Sequence, residues 1–421
     1  MIFDIPFANN RILQLIVPVL VVIGLGYYDF VMGFCLGHQV IYKYHSHGVA
    51  ISLWILLAFL QLSVFIYWIL IFIIGPGKAP KFPPFNLRGD DTDELTQVPN
   101  AFECDRFGYP FYSSHTDSLV LPRGFYSKHT GYNVLKYDHY CLWIGTVLGE
   151  CNYLFFMKFM TFFLLHFIIP IIYLMRYTRS QVSREGEINH NFIPAYVLSG
   201  FWIIIIGALF AVHLKYVCVN MTTLDEITMK QKQVYQRWEL SNEKEKKTFR
   251  RKPRKEDGKR YINIKKDNLR VVVQYDVMDE VYNMGFKKNW INLIFNGNRN
   301  HGKPSEFYTT KRLITSFVIF LVPFIDIPYG FKYRSHPMER EGSDPESLLI
   351  EFEKNSSAMN PEFVQSLYQK IENKECYLAS YLPRSVIDEH TYQDQEQNHN
   401  DDTGIPDTTN EKSPESSTAS K

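Results

Sequence analysis

Cysteine is scarce in this chain: Cys35, Cys104, Cys141, Cys151, Cys218 and Cys376 are the six among 421 residues, with no regular spacing and no CxxC pair. That argues against a disulfide framework and a knuckle of paired zinc-binding cysteines, so each thiol is considered by itself. An internal repeat is also missing, as is any excess of one charge sign, with 45 Lys/Arg against 44 Asp/Glu and a net charge of +1. Charge is rarest in four stretches, Ile12 to Leu36, Ala50 to Gly75, Tyr153 to Met175 and Phe192 to Val217. Each stays apolar for longer than the roughly 20 residues needed to cross a bilayer. The first is too long for the apolar core of a signal peptide and no small-residue cleavage site follows it, so it reads as a retained span. A fifth stretch, Leu313 to Tyr329, runs for only about a dozen apolar residues before Pro323 and Asp326, which fits an interfacial or re-entrant helix.

The expected fold class is therefore an all-α membrane protein with four transmembrane helices. Residues 1–75 hold the N-terminus and spans 1 and 2, 76–152 a long loop, 153–217 spans 3 and 4, 218–336 a basic domain and 337–421 an acidic tail. Shorter loops fall near 37–49 and 176–191. Between Lys230 and Arg270 there are 16 Lys/Arg against 6 Asp/Glu, a juxtamembrane run of the kind retained in the cytosol. An even span count then puts both termini and the 76–152 loop on the cytosolic side. Arg176, Arg179 and Arg184 on the outer side are a mild exception. Aromatic interleaving in the basic run is sparse, so nucleic acid is not an expected partner; anionic lipid is. The tail reverses the balance, with 18 Asp/Glu against 7 Lys/Arg, and is expected to be largely disordered beyond short amphipathic helices near Leu348 and Phe363.

The chemistry is concentrated in Tyr137-Asp138-His139-Tyr140-Cys141-Leu142-Trp143-Ile144-Gly145. A thiol attacks only as its thiolate, and His139 is the right kind of base two residues away. Asp138 can orient the imidazole and stabilise imidazolium, as the acid of a triad does. The tetrapeptide alone is weak, because a buried cysteine is usually a small inert hydrophobe. Its position, in a loop beside the bilayer, strengthens it: a thiol there can meet a lipid chain and a water-soluble carrier together. Asp29, His166 and His213 lie inside spans and can mark a transport path, but a histidine hydrogen-bonded to a neighbouring helix explains such positions better.

The segment resembles the DHHC-type protein S-acyltransferases, or palmitoyltransferases, in the DHYC variant of some fungal members. Asp138-His139-Tyr140-Cys141, Trp143, Gly149, Asn152, Tyr153 and Phe156 match the family pattern at its own spacing, and Pro122-Arg123 stands where the family has an upstream Pro-Arg element. Thr222-Thr223-Leu224-Asp225-Glu226 looks like its T-T-x-E motif, with Asp225 in place of the acid, and Tyr282 to Gly285, Asn289, Trp290 and Phe295 like its C-terminal packing motif. The resemblance implies that Cys141 carries an acyl group from palmitoyl-CoA to cysteines of membrane-associated proteins, with His139 as general base and Asp138 as orienter. Trp143 would lie beside the acyl chain, and Arg123 would meet CoA phosphates. Acyl-CoA is then a co-substrate and the bilayer a partner.

Most relatives brace this loop with two zinc ions, and here the ligands are gone. The family's ligand positions fall on Tyr126, Ser127, Thr130, Asn133, Tyr140 and Val147. A tetrahedral site tolerates no half-set of ligands, so no metal is expected, and the loop's many aromatics are the expected substitute. A non-catalytic membrane adaptor of the same fold is the alternative. The retention of Asp138, His139 and Cys141 amid the lost ligands favours the enzyme.

Overall fold

A computed structural model of the chain describes residues 11–87, 98–246, 258–266, 269–295, 307–328 and 359–383, with 248–249 and 252–253. Four helices are long and apolar enough to cross a membrane. Helix α1 (Arg11–Phe30) continues as a π-helix over Val31–Tyr42, followed by α2 (His47–Ile74), α3 (Tyr153–Glu185) and α4 (Phe192–Val219). At 1.5 Å per residue the 28 residues of α2 reach about 42 Å, beyond the ~30 Å hydrocarbon core. Leu62, Ile69, Val197 and Ile204 are exposed on the bundle surface, as lipid-facing side chains are. In the wide π-helical turn, Trp54 of α2 donates its indole N–H to the Gly33 carbonyl at 2.8 Å, and a Cβ at Gly37 would lie 2.6 Å from that nitrogen.

Two helices outrun their apolar stretches. The first continues to Tyr42 instead of ending at Leu36, and α3 continues to Glu185 instead of Met175. The loops expected at 37–49 and 176–191 shrink to a few residues, because backbone hydrogen bonding does not stop where hydropathy does. Arg184 sits in the last turn of α3, where the helix dipole favours a cation, with its guanidinium 3.6 Å from the Tyr44 ring centroid. Inside the spans, Asp29 and His166 meet at 3.0 Å.

The loop between α2 and α3 is built of strands, which the helical reading of the chain did not foresee. β1 (Ala101–Cys104) is followed by three small antiparallel hairpins: β2 (Tyr112–Ser113) with β3 (Ser118–Leu119), β4 (Phe125–Ser127) with β5 (Tyr132–Val134), and β6 (His139–Cys141) with β7 (Thr146–Leu148). Beyond α4 come α5 (Thr223–Leu240), the single turn α6 (Glu243–Lys246), a hairpin of β8 (Lys259–Lys266) and β9 (Leu269–Asp276), α7 (Phe286–Phe295), α8 (Thr310–Leu321), α9 (Pro361–Glu372) and β10 (Cys376–Leu378). β1, β8, β9 and β10 form one antiparallel sheet in that order. Its side chains alternate between two faces, and both faces are buried at its centre. Ile262, Ile264, Val271 and Val273 pack with Phe363, Leu367 and Ile371 of α9, while Phe102 and Val272 pack with Phe82, Phe85 and Leu119. Part of the acidic tail is thus an integral strand and helix. The helix expected near Phe363 is α9, and the one near Leu348 lies outside the described residues.

The fifth apolar stretch is α8, too short to cross a bilayer. Phe317 stacks on Trp290 of α7 at 4.7 Å, and the chain beyond Leu321 turns so that Asp326 reaches between α2 and α3. Asp326 accepts from Lys158 at 2.6 Å and from the Tyr67 hydroxyl at 2.7 Å, and Lys158 also donates to the carbonyls of Ile319 and Val322 at the end of α8. Both charged side chains are fully buried.

Candidate active site

A strand places successive side chains on opposite faces, so in β6 His139 and Cys141 share one face while Tyr140 takes the other. This is the physical sense of the His-x-Cys spacing. The turn joining β6 to β7 is driven into the mouth of the helix bundle. The Ile144 carbonyl accepts from the Trp68 indole of α2 at 3.2 Å, and Trp143 meets Trp202 of α4 edge-on at 5.6 Å. Gly145 adopts φ +88°, and a Cβ on it would lie 3.2 Å from the Pro18 side chain of α1. Cys141, Ile144 and Leu148 belong to the same apolar cluster as the spans.

Asn152 staples this hairpin to the membrane helices. Its side chain accepts from Gly149 N–H at 3.0 Å and donates to Val147 and Ile71 carbonyls at 2.9 and 3.3 Å. Gly149 is obligatory, since a Cβ would lie 2.5 Å from the Pro76 carbonyl oxygen.

Asp138 is 1% exposed and fully engaged. Its Oδ2 lies 2.6 Å from His139 Nδ1 and accepts from the Thr223 hydroxyl at 2.8 Å, while Oδ1 accepts from Thr223 N–H at 2.8 Å. Burial works against the carboxylate charge, but the hydrogen bonds and nearby imidazole outweigh it and hold Asp138 below the usual range. Burial likewise works against a proton on His139, and is outweighed by the Asp138 carboxylate and the Cys141 thiol, which raise its proton affinity. The imidazole therefore spans from a carboxylate to a thiol, a geometry that can take a proton from sulfur. The other cysteine of the long loop outside this hairpin region, Cys104, is buried and its thiol is pushed far up, the behaviour of an inert core cysteine.

Thr222 caps α5 through a reciprocal box with Asp225, which aims the Thr223 donors at Asp138. Arg123, at φ +58°, ties this corner together: it bonds Asp225 Oδ2 and the Asn220 carbonyl, each at 2.8 Å, and its guanidinium lies 4.4 Å from the Tyr282 ring centroid. Asn289 of α7 donates to the Cys218 carbonyl at 2.7 Å. Thus Asp138, His139 and Cys141 come together, Trp143 lies at the membrane side of the same hairpin, and Arg123 stands behind Asp138 with its charge spent on protein partners. A cavity of about 100 Å³ separates Arg123, Asp138 and Tyr153 there.

Sequence reasoning missed His213 as a site residue. It projects from α4 to stack over His139 at 5.6 Å between centroids. Nothing in the sequence says which face of α4 meets the loop. Among the described residues, Asp138, His139 and His213 offer three ligand atoms within 4.8 Å of one another. Asp138 and His139 are already committed to each other, which argues against a metal there. At the hairpin positions where zinc ligands would be expected the donors do not fit. Tyr126 stacks on His115 at 4.5 Å and Tyr140 on His129 at 4.1 Å, Val147 offers no donor, and Asn133 bonds Thr116.

Four spans and a buried carboxylate–imidazole–thiol group at their mouth define a multi-pass membrane protein with the parts of a thiol acyltransferase. The family model described as DHHC palmitoyltransferase matches residues 111–230. Palmitoyltransferase PFA5 of Candida albicans is 46% identical over 91% of this chain and 96% of its own length. Palmitoyltransferase PFA5 of Kluyveromyces lactis is 31% identical, covering 53% of this chain and 67% of its own. Probable protein S-acyltransferase 12 of Arabidopsis thaliana is 24% identical over 55% of this chain and 80% of its own length. The chain belongs to the DHHC palmitoyltransferase family and is an acyltransferase.

Proposed function

We propose that this enzyme transfers a palmitoyl group from palmitoyl-CoA through a Cys141 thioester to cysteines of membrane-associated proteins. The observation that carries the proposal is the line Asp138, His139, Cys141, closed at 2.6 Å on the acid side and seated among the spans. His139 takes the Cys141 proton, and the thiolate attacks the thioester carbonyl of palmitoyl-CoA. The carbon–sulfur bond to CoA breaks, and the CoA thiolate leaves with the proton from His139. In the second half His139 takes the proton of a substrate cysteine, whose thiolate attacks the Cys141 thioester, and Cys141 recovers the proton. Asp138 keeps its charge throughout, oriented by Thr223. In this reading Trp143, 42% exposed beside Trp202, flanks the acyl chain.

Two further assignments belong to this reading. Arg123 serves as a brace between the loop and α5, a different role from contact with CoA phosphates, because Asp225, Asn220 and Tyr282 occupy it. The loop works without zinc, the stacked His115–Tyr126 and His129–Tyr140 pairs filling the two hairpin corners. The active site and both termini face the cytosol, on the strength of the basic run from Lys230 to Arg270.

The test is labelling with a clickable palmitoyl-CoA analogue in sealed microsomes, whose outer face is cytosolic. Hydroxylamine-sensitive label is expected on wild type without detergent and is expected to vanish in Cys141→Ser. Label that survives in the variant would refute the nucleophile, and label that appears only after detergent would refute the orientation.

A further inference from the structure

His213 is 4% exposed and boxed from every side. Its Nδ1 lies 2.8 Å from the Tyr153 hydroxyl of α3. Phe156 and Tyr216 meet its ring edge-on, at 5.0 Å and 89° and at 5.4 Å and 79°. Its open face is laid against His139 at 5.6 Å and 28°, while the edge of Phe156 closes on His139 from another direction at 6.0 Å and 74°. The titratable groups around it are Asp138 and His139 of the loop, Tyr153 of α3 and Tyr216 of its own helix.

We propose that His213 is a positioning residue for acyl transfer: an imidazole, held by a hydrogen bond with the Tyr153 hydroxyl, whose ring backs His139 and keeps it turned between Asp138 and Cys141. The inference rests on the acyl-enzyme reading above. The Tyr153 hydroxyl at Nδ1 fixes the rotation of the His213 ring. The ring's flat face then accommodates the imidazolium that His139 becomes in each half-reaction, and its bulk forbids His139 from swinging toward α4. The required feature is the ring and its placement; no proton passes through His213.

The experiment measures acyl-enzyme formation on purified full-length protein with palmitoyl-CoA, against wild type, across pH 5.5 to 8.5. Wild type must form the acyl-enzyme; if it does not, the underlying reading has failed and not this one. His213→Ala is expected to lower the maximal rate roughly 10- to 100-fold, as a misplaced base does, while KM for palmitoyl-CoA stays within about twofold. His213→Phe, which keeps the ring, is expected to retain at least about a third of the rate and the wild-type pH profile. Tyr153→Phe, which removes the hydroxyl that fixes the His213 ring, is expected to lower the rate about 3- to 10-fold with KM for palmitoyl-CoA unchanged. Wild-type rate in His213→Ala would overturn the proposal. So would an equal loss in His213→Phe and His213→Ala, which would mean that the nitrogen moves protons, or a wild-type rate in Tyr153→Phe. Thermal melting in detergent identifies a variant that fails to fold, in which case His213→Phe and Tyr153→Phe carry the decision.

Discussion

Asp138 accepts three hydrogen bonds, two of them from Thr223, so the acid of the site is oriented by a residue that lies on another element. Because Asp138 raises the proton affinity of His139, the acid limb of the rate of acyl-enzyme formation is expected above the ordinary imidazole value of about 6.5. The sign follows from the base needing to be free: the rate falls as pH drops through the His139 titration. Removing the carboxylate lowers that titration, so Asp138→Asn should shift the limb to lower pH while cutting the rate on the order of 10³-fold or more. Thr223→Val, which leaves the backbone donor in place, should cost less. A limb unmoved by Asp138→Asn in stopped-flow acylation would contradict the role given to the carboxylate. The residues that carry this chemistry were legible in the sequence because a strand aligns positions two apart, so Asp138-His139-x-Cys141 is local. Thr223 was legible only as part of a motif, and His213 only as an unexplained polar residue in a span.

At the scale of elements, α8 is held by charges buried deep in protein. Lys158 caps the carbonyl end of α8 and pairs with Asp326, which Tyr67 completes. Removing one partner strands the other: Lys158→Met or Asp326→Leu alone should destabilise by about 3–5 kcal/mol, whereas the double replacement should recover most of that loss. Thermal melting in detergent checks it, and a double variant as unstable as the sum of the two would show that the charges are not coupled. The shortness of this element and its polar interruption were readable from Pro323 and Asp326. Its partner was not, because Lys158 sits inside an apolar run whose inward face hydropathy cannot identify. The strands of the loop escaped for a similar reason: pieces of two or three residues leave no alternation to count, and their pairing is set by contacts far along the chain.

At the scale of the whole molecule, all four spans meet the β6–β7 hairpin, and stacked aromatic–histidine pairs occupy the hairpin positions where the family resemblance implies metal ligands. Elemental analysis of the purified protein is expected to find less than one zinc per chain, and chelator treatment to leave its melting temperature unchanged. Two zinc ions per chain would mean that ligands other than the hairpin positions serve.

The sheet joins the beginning of the long loop to the chain beyond the last span. Arg270 bonds the Pro99 carbonyl across 171 residues, and Thr223 reaches Asp138 across 85. During synthesis at about 5–20 residues per second, the loop leaves the ribosome on the order of ten to thirty seconds before Arg270 exists to close it. The nucleophile is thus made long before its acid can be oriented, so a nascent or truncated chain ending within the fourth span carries the thiol but not the assembled site, and competence arrives only with completion of the cytosolic half.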